Sequence, residues 1–290
     1  MATKIKVLNL QNLKKSNLPL VVGYFGCIHV MHGQLLSKHH NYNVLTFKDF
    51  ANKSPSQIYS YKNRLNNLVK FKPENIFIYD IAKSNMTAQQ FIEKILLKIK
   101  PSSIVVGTDF KFGSDHKSWT LLKQYFDVET INYNPKVSTT IISKLLRDAN
   151  IERANDLTYF PYYYTSKWVG GRHQGKVLGA RTINLEISDN FILPEGSYIS
   201  RITIGNKKYK AITFYGKSKT YKLSTPTLET HVIGKTIFPR SLYPSAIRNN
   251  IKVEFFKFLR SNTKYAKPEA LFEAIKKDLN KAKDYFEHNK

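Results

Sequence analysis

One stretch near the start of the chain, residues 21–36, constrains the fold more than any other. It reads VVGYFGCIHVMHGQLL, in which a short apolar run ends at Gly23 and a turn leads to His29 and His32. This order predicts a buried strand, a glycine-bearing loop and the first turn of a helix. Backbone N–H groups and the positive end of a helix dipole meet at such a junction, which is therefore a site for phosphate. Residues three apart share a helix face, so both histidines are expected to point at that phosphate.

Strands and helices alternate through the first half of the chain. Apolar segments predict strands over residues 5–8, 44–47, 76–79 and 104–106, and apolar periodicity predicts helices over 54–71, 88–99 and 148–157. This alternation predicts a doubly wound α/β domain whose ligands bind beyond the carboxyl ends of the strands. We expect this domain to span residues 1–157.

After residue 157 the pattern changes to short strands between glycine-bearing turns. The predicted strands are 168–169, 183–187, 198–204, 209–214, 230–233 and 253–259. Their density predicts a small antiparallel β-barrel, and an amphipathic helix over Pro268–His288 closes it. The second domain is therefore expected to span residues 158–290.

Composition restricts the class of protein. A chain of 290 residues is long enough for two domains that each bury a core. It contains no apolar run of about 18 residues, and its start lacks the apolar core of a signal peptide. The single cysteine, Cys27, excludes an internal disulfide and a cysteine-based zinc site. We expect a cytoplasmic protein with no membrane association, and nothing in the sequence indicates an obligate protein partner.

The formal net charge of +25 is compatible with nucleic-acid binding, because clustered basic side chains neutralise backbone phosphates. The basic residues are mostly lysines scattered along the chain, however, which indicates a chain-wide compositional bias. We therefore expect no nucleic-acid partner. A basic protein still attracts anionic small molecules such as ATP or FMN.

The stretch that opens the chain resembles the Gly-x-Phe-Asp-Gly-x-His-x-Gly-His signature of the bacterial bifunctional riboflavin kinase/FAD synthetase family. The matching positions are Gly23, Phe25, His29 and His32. The chain departs from the signature where the family has Asp, Gly and Gly, namely at Gly26, Cys27 and Met31. The resemblance implies that the first domain is a nucleotidylyltransferase, in which both histidines donate hydrogen bonds to ATP phosphates.

Two further segments of the first half resemble the same family. Residues 107–113, taken alone, predict only a turn after a strand, but they resemble the family's Val-Gly-x-Asp-Phe-x-Phe-Gly segment, which lines the flavin and adenine side of the transferase site. The residues that carry this implied role are Gly107, Asp109 and Phe110.

Residues 137–143 predict a helix N-cap, because three hydroxyl side chains precede a helix. They also resemble the family's Ile-Ser-Ser-Thr-x-Ile-Arg segment, whose hydroxyls and backbone N–H groups hold ATP phosphates. The implied ligands are Ser138, Thr139 and Thr140. Ser143 stands where the family has an arginine, so a bidentate phosphate ligand is missing.

Residues 175–184 resemble the kinase signature Gly-x-x-Leu-Gly-x-Pro-Thr-x-Asn, with Arg181 in place of the proline. The implied nucleotide-binding residues are Gly175, Gly179, Thr182 and Asn184. Residues two apart on a strand face the same side, so the Thr182 hydroxyl and the Asn184 amide oxygen are expected to converge on one Mg²⁺.

Residues 228–233 resemble the family's Glu-x-His strand, whose glutamate acts on the ribityl hydroxyl. Glu229 is therefore expected to accept the proton of the attacking alcohol while the γ-phosphoryl group transfers. A surface glutamate paired with a lysine is the ordinary alternative. Arg260 matches the Leu-Arg ending of the family's last strand and is implied to contact the nucleotide.

The leading hypothesis is a bifunctional FAD synthase that phosphorylates riboflavin to FMN and then adenylylates FMN to FAD, with ATP as co-substrate and Mg²⁺ as cofactor. One alternative is a monofunctional riboflavin kinase, in which the substitutions at Gly26, Met31 and Ser143 have silenced the transferase half. Arg181 replaces the proline of the kinase motif, which leaves open a transferase without kinase activity. An alternative of another class is a basic nucleic-acid-binding module.

Overall fold

The structure is a computed structural model that describes residues 3–7, 15–48, 57–132, 134–170, 182–188, 191–217, 225–235, 237 and 239–289. The chain divides into two compact units, Met1–Ile141 and Ile142–Lys290. This division precedes the boundary expected between residues 157 and 158, which stays a prediction.

The first unit contains a six-stranded parallel sheet among its described residues. The strands of this sheet are β1 (Lys4–Val7), β2 (Leu20–Val22), β3 (Asn43–Phe47), β4 (Asn75–Tyr79), β5 (Ile104–Gly107) and β8 (Val128–Ile131). Between β5 and β8, strands β6 (Lys111–Phe112) and β7 (Lys117–Ser118) form a separate hairpin. The order across the sheet is β1-β4-β3-β2-β5-β8, and all neighbouring strands are parallel. The chain winds outward from β2 in both directions, so the crevice of a doubly wound sheet opens at the carboxyl ends of β2 and β5.

Six α-helices are described in the first half of the chain. They are α1 (Val30–Leu36), α2 (Tyr61–Val69), α3 (Ala88–Phe91), α4 (Leu97–Ile99), α5 (Thr139–Arg147) and α6 (Ile151–Asp156). A π-helical segment joins α3 to α4, so the helix predicted over 88–99 is continuous. The helix predicted from residue 54 begins at Tyr61 instead, because the Ser60 hydroxyl caps it by accepting from the backbone N–H of Asn63 at 3.3 Å. Residues 54–56 lie outside the described part of the chain.

The second unit contains a seven-stranded antiparallel sheet among its described residues. Its elements are β9 (Tyr163–Ser166), β10 (Trp168–Val169), β11 (Thr182–Leu185), β12 (Gly196–Ile204), β13 (Lys207–Gly216), β14 (Thr227–Val232), α7 (Ser245–Arg248), β15 (Ile251–Ser261) and α8 (Pro268–His288). The order is β10-β11-β14-β13-β12-β15-β9. Strand β9 was not among the strands expected from the sequence; its Tyr163 is buried and pairs with Glu254 of β15.

The terminal helix α8 packs on this sheet, as its amphipathic pattern predicts. Ala282 and Phe286 are buried against Ile199 and Ile212. The predicted fold class is therefore confirmed: a parallel α/β unit is followed by an antiparallel half-barrel with a terminal helix. Among the described residues, no helix has both the length and the apolar character that a membrane crossing requires.

Candidate active sites

A cavity of about 630 Å³ lies at the carboxyl ends of β2 and β5 in the first unit. Three loops form its polar wall: the one after β2, the one after β5 and the one before α5. The predicted site residues that line it are Gly23, Phe25, His29, His32, Gly107, Asp109, Phe110, Ser138 and Thr139. Thr140 is exposed in the first turn of α5 and does not line the cavity.

The loop after β2 is held in a sharp turn. Phe25 has a φ of +53°, a left-handed conformation that is uncommon outside glycine, and its side chain is buried. Its ring packs edge-on against His32, with 5.0 Å between ring centroids. A Cβ on Gly23 would lie 2.9 Å from the Phe25 ring, so only glycine fits there without displacing Phe25. The two family-matched positions therefore depend on each other sterically.

The two histidines stack instead of sharing a helix face. His29 precedes α1 as its N-cap, and its Nδ1 accepts from the backbone N–H of His32 at 3.4 Å. His32 Nδ1 lies 2.8 Å from the carbonyl oxygen of Cys27, and since a carbonyl only accepts, this nitrogen is the donor. The rings are 3.7 Å apart at an angle of 19°. In their neutral forms, His29 therefore presents an Nε2–H donor and His32 an Nε2 lone pair.

Both histidines are neutral near pH 7. Burial lowers the pKa of His29 to about 3, with repulsion from His32 adding to the effect. Burial also lowers the pKa of His32 to about 4, against the opposing effect of its hydrogen bond to the Cys27 carbonyl. The neighbouring thiol is uncharged as well, because burial raises the pKa of Cys27 to about 12. The site therefore acts through hydrogen bonds and shape, not through a nucleophilic cysteine.

The hydroxyl segment before α5 has the capping role that the residues alone predict, and its contact with ATP phosphates stays a prediction. The Ser138 hydroxyl accepts from the backbone N–H of Ile141 at 3.2 Å, which is the helix cap expected from the residues alone. Thr139 accepts a hydrogen bond from the Cys27 thiol, with 3.6 Å between Oγ1 and Sγ. This contact ties the hydroxyl segment to the loop after β2, so the two family-matched segments face one cavity.

An aromatic wall also lines the cavity, and of its rings the sequence indicated only Phe110. Phe110 and Phe112 stack with 5.8 Å between centroids, Phe112 meets Phe91 edge-on at 6.1 Å, and Phe91 meets Tyr79 at 5.2 Å. Phe47 packs on Tyr79 in the same way. These rings come from β3, β4, α3 and the hairpin, so no local pattern groups them. An apolar wall beside a polar loop suits a flat aromatic ligand with an anionic end.

The second candidate site lies on neighbouring strands of the half-barrel. Asn184 of β11 is the direct partner of Glu229 of β14, and Thr182 is the partner of His231. Cross-strand partners lie on the same face, and residues two apart on one strand share that face, so these four side chains form one polar patch. Gly175 and Gly179 lie outside the described residues.

Burial shapes the chemistry of this patch. It raises the pKa of Glu229, while a hydrogen bond from Thr227 opposes the shift, so the carboxylate is a stronger base than an exposed glutamate. Burial lowers the pKa of His231, which is therefore neutral. Within the described part of the structure, His231 Nδ1 is buried without a hydrogen-bond partner. Only the spacing of two residues from Glu229 indicated in the sequence that His231 belongs to the site.

The donor set of the patch fits a hard cation. Among the described residues, no group of three His, Cys, Asp or Glu side chains is placed to hold a metal. Thr182 and Asn184 instead offer a hydroxyl and an amide oxygen beside the Glu229 carboxylate. Mg²⁺ binds such sparse oxygen sets because it keeps several waters and is completed by nucleotide phosphates.

Arg260, the remaining predicted residue, has a protein partner. Its Nε donates to Asp278 Oδ2 of α8 at 2.9 Å, which links the end of β15 to the terminal helix. Burial raises the pKa of Asp278, and the charge of Arg260 opposes that shift. A direct contact between Arg260 and nucleotide stays a prediction.

Two family models match the chain, one on each half. The model described as FAD synthetase matches residues 11–141, and the model described as Riboflavin kinase matches residues 158–286. The first match contains the stacked histidines and the second contains the polar patch.

Curated relatives match over nearly the whole chain. The "Trifunctional protein RibF/MnmA" of Mycoplasmoides gallisepticum is 31% identical over 97% of this chain, which spans only 43% of that longer protein. The "Bifunctional riboflavin kinase/FMN adenylyltransferase" of Mycoplasma pneumoniae is 29% identical over 92% of this chain and 97% of its own length. The protein of the same name from Buchnera aphidicola subsp. Schizaphis graminum is 29% identical, over 96% and 97%.

A solved structure shares the fold. The crystal structure described as the macrolide-efflux protein from Streptococcus pneumoniae matches with a TM-score of 0.81 at 24% identity, and the match covers 98% of this chain and 99% of the other. At this identity the likeness concerns the fold alone.

Proposed function

The chain belongs to the bacterial family of bifunctional riboflavin kinases/FMN adenylyltransferases and carries both enzyme domains, and we propose how its two sites divide the two reactions. The half-barrel patch phosphorylates riboflavin to FMN with ATP. The cavity of the α/β unit adenylylates FMN to FAD with a second ATP and releases pyrophosphate. The observation that supports this division is that nine of the predicted residues line the cavity and that Thr182, Asn184 and Glu229 share one face of the half-barrel, each group within its own family match.

In the kinase site, Glu229 is the general base. Its half-buried carboxylate accepts the proton of the ribityl hydroxyl as that oxygen attacks the γ-phosphorus of ATP. Asn184, directly across the ladder, and Thr182 supply the oxygen ligands of Mg²⁺. When bound, Mg²⁺ neutralises charge on the ATP phosphates. The protein's main contribution is to hold base, alcohol and phosphate in one orientation.

In the transferase site, the FMN phosphate attacks the α-phosphorus of ATP, and the P–O bond to the pyrophosphate leaving group breaks. His29 donates from Nε2–H to an ATP phosphate oxygen, which stabilises the charge that builds on the leaving group. Neutral His32 has a lone pair on Nε2 and cannot donate from it, so its proposed role is to hold the His29 ring by stacking. Phe110 and the aromatic wall bind the isoalloxazine ring, while Ser138 and Thr139 contact phosphate. No covalent intermediate is required.

The substitutions in the family signature are compatible with this activity. Met31 is not among the described residues that line the cavity, so its side chain does not fill the space for nucleotide. Gly26 lies against the Tyr24 ring and Thr139, where a Cβ would make contacts of 3.1 and 3.3 Å. The matches to both family models and to the bifunctional relatives support an active transferase half over the alternative of a monofunctional kinase.

The proposed setting is cytoplasmic, with small-molecule substrates and without a nucleic-acid partner. The test supplies the purified chain with ATP and Mg²⁺ and either riboflavin or FMN, and separates FMN from FAD. We expect riboflavin to yield FMN and then FAD, and supplied FMN to yield FAD directly. FMN that accumulates without FAD would contradict the transferase assignment, and failure to phosphorylate riboflavin would contradict the kinase assignment.

A further inference from the structure

A buried arginine contacts the loop that carries the histidines. Arg64 of α2 is only 1% exposed, and it is one of the largest fully buried side chains among the described residues. Its Nη2 donates to the carbonyl oxygens of Tyr24 at 2.6 Å and Phe47 at 3.0 Å. It also donates to the Thr46 hydroxyl at 3.3 Å. The guanidinium carbon lies 4.0 Å from the centroid of the Tyr24 ring, in a cation–π contact.

These contacts converge on one backbone position. The Tyr24 carbonyl accepts from Arg64 and also from the Thr46 hydroxyl at 3.1 Å. Tyr24 immediately precedes Phe25, whose left-handed backbone forms the sharp turn. A strained conformation persists only where its surroundings hold it, and these two donors hold the peptide on which the turn begins.

Burial of a guanidinium is costly, so it requires compensating contacts of this kind. Arg64 itself does not line the cavity, whereas Tyr24 and Phe47 do. Its influence on a bound nucleotide therefore passes through the backbone of the loop and through its positive charge in a medium of low polarity.

We propose that Arg64 is a positioning residue for adenylyl transfer. By donating hydrogen bonds to the Tyr24 and Phe47 carbonyls, it holds the turn at Phe25 in the conformation that presents His29 and His32 to the nucleotide. This inference rests on the proposed transferase function of the cavity. Arg64 has no part in riboflavin phosphorylation, which takes place on the other unit, so one chain carries its own internal control.

The test compares Arg64→Lys with the unsubstituted protein in both half-reactions. Lysine keeps the positive charge, but its ammonium ends about one bond short of Nη2, the nitrogen that reaches Tyr24, Thr46 and Phe47, and it has no planar face to stack on the Tyr24 ring. We expect kcat/KM for FAD formation from FMN to fall by about tenfold to hundredfold, chiefly through kcat, since a displaced catalytic group lowers the rate by such factors. Riboflavin phosphorylation by the same sample stays unchanged.

A matched control separates positioning from loss of stability. Tyr42 is equally buried in the same unit, and its hydroxyl donates to the Phe71 carbonyl at 3.1 Å, next to the amino end of β3 and away from the loop. Tyr42→Phe is expected to lower the unfolding temperature of the unit without changing kcat/KM for FAD formation. If Arg64→Lys reduces FAD formation no more than Tyr42→Phe does, the proposal is overturned.

Thr46→Val supplies an independent variant, because it removes the other donor to the Tyr24 carbonyl with little change in shape. We expect it to reduce FAD formation, and its effect is expected to be less than multiplicative with that of Arg64→Lys, since both act on one carbonyl. If Arg64→Lys does not fold, an unchanged Thr46→Val enzyme overturns the proposal by itself. A failure of the proposed function is visible separately, because the unsubstituted chain would then form no FAD.

Discussion

Asn184 and Glu229 are direct partners across the antiparallel ladder of β11 and β14, so an amide and a half-buried carboxylate lie side by side on one face of the half-barrel. This relationship places the proposed ligand of Mg²⁺ next to the proposed base. If both proposals hold, the alcohol and the phosphate would meet within the span of two neighbouring strands. The pairing gives a geometric reason for the two family motifs to act together, although 45 residues of chain separate them.

Replacing Glu229 with glutamine removes the base and keeps the size of the side chain. We expect the rate of FMN formation to fall by about 10²- to 10⁴-fold, which is the usual contribution of general base catalysis. Adenylylation of supplied FMN is retained. The matched control is Glu186→Gln, since Glu186 is half-exposed and pairs only loosely with Lys167 at 3.6 Å. Unchanged kinase activity in Glu229→Gln would contradict the role assigned to this residue.

Replacing His29 with asparagine separates its two roles. Asparagine is a good N-cap, so the start of α1 is preserved, but the Nε2–H donor is lost. We expect the rate of FAD formation from FMN to fall by about 100-fold or more, as on removal of one donor to a developing negative charge. The control is His39→Asn, which removes a histidine paired with Glu129 at 2.9 Å outside the cavity. Equal FAD formation by both variants would refute the donor role.

The stability of the first unit is expected to decrease on acidification below pH 6.5. His29 and His32 have folded-state pKa values of about 3 and 4 against an ordinary value of 6.5. Between those limits the unfolded chain binds more protons, so stability rises with pH and is fully present above pH 6.5. Each histidine contributes at most about 1.4 kcal/mol per pH unit.

This slope is measurable because the chain has two tryptophans, and only Trp119 lies in the first unit. In a Trp168→Phe background, urea unfolding followed by tryptophan fluorescence reports on that unit. His29→Asn is expected to flatten the dependence between about pH 3 and 6.5, the interval between the folded-state and the ordinary pKa of His29. A slope that is identical with and without His29 would show that this histidine is not buried in its neutral form.

Removing an oxygen ligand of the kinase site is expected to raise its magnesium requirement. For Thr182→Val and Asn184→Ala, the Mg²⁺ concentration that gives half-maximal FMN formation increases by about tenfold or more, as is usual when a metal site loses a supporting group. The Mg²⁺ dependence of FAD formation from FMN does not change. Thr203→Val, on β12 and outside the polar patch, serves as control. If all three variants need the same Mg²⁺ concentration, the metal assignment is wrong.

The sequence predicted the elements whose causes are local. The apolar run, glycine turn and histidines near the start correctly indicated a strand, a loop and a helix, and alternating segments indicated most strands of the half-barrel. The sequence did not indicate β9, because residues 158–165 follow the expected end of the first domain and only their pairing with β15 reveals the strand. That pairing joins residues far apart in the chain, so no local pattern carries it.

The candidate sites, too, could be predicted only where the signal is local in the sequence. Motif resemblance identified the histidines, the hydroxyl segment and Glu229, but not the side chains whose roles depend on packing. Arg64 in an amphipathic helix looks like any solvated basic residue, and only its burial beneath the Tyr24 carbonyl distinguishes it. The aromatic wall is similarly assembled from four separate elements. Tertiary contacts, not residue identity, define these parts of the site.

Complementation between two variants tests most directly the claim that one chain carries two independent sites. Glu229→Gln and His29→Asn are each given riboflavin, ATP and Mg²⁺, singly and as a mixture, and FAD formation is followed. The account predicts that neither variant alone forms FAD at an appreciable rate, whereas the mixture does, because FMN released by His29→Asn is adenylylated by Glu229→Gln. A mixture that forms no FAD, or a Glu229→Gln enzyme that forms FAD from riboflavin unaided, would contradict it.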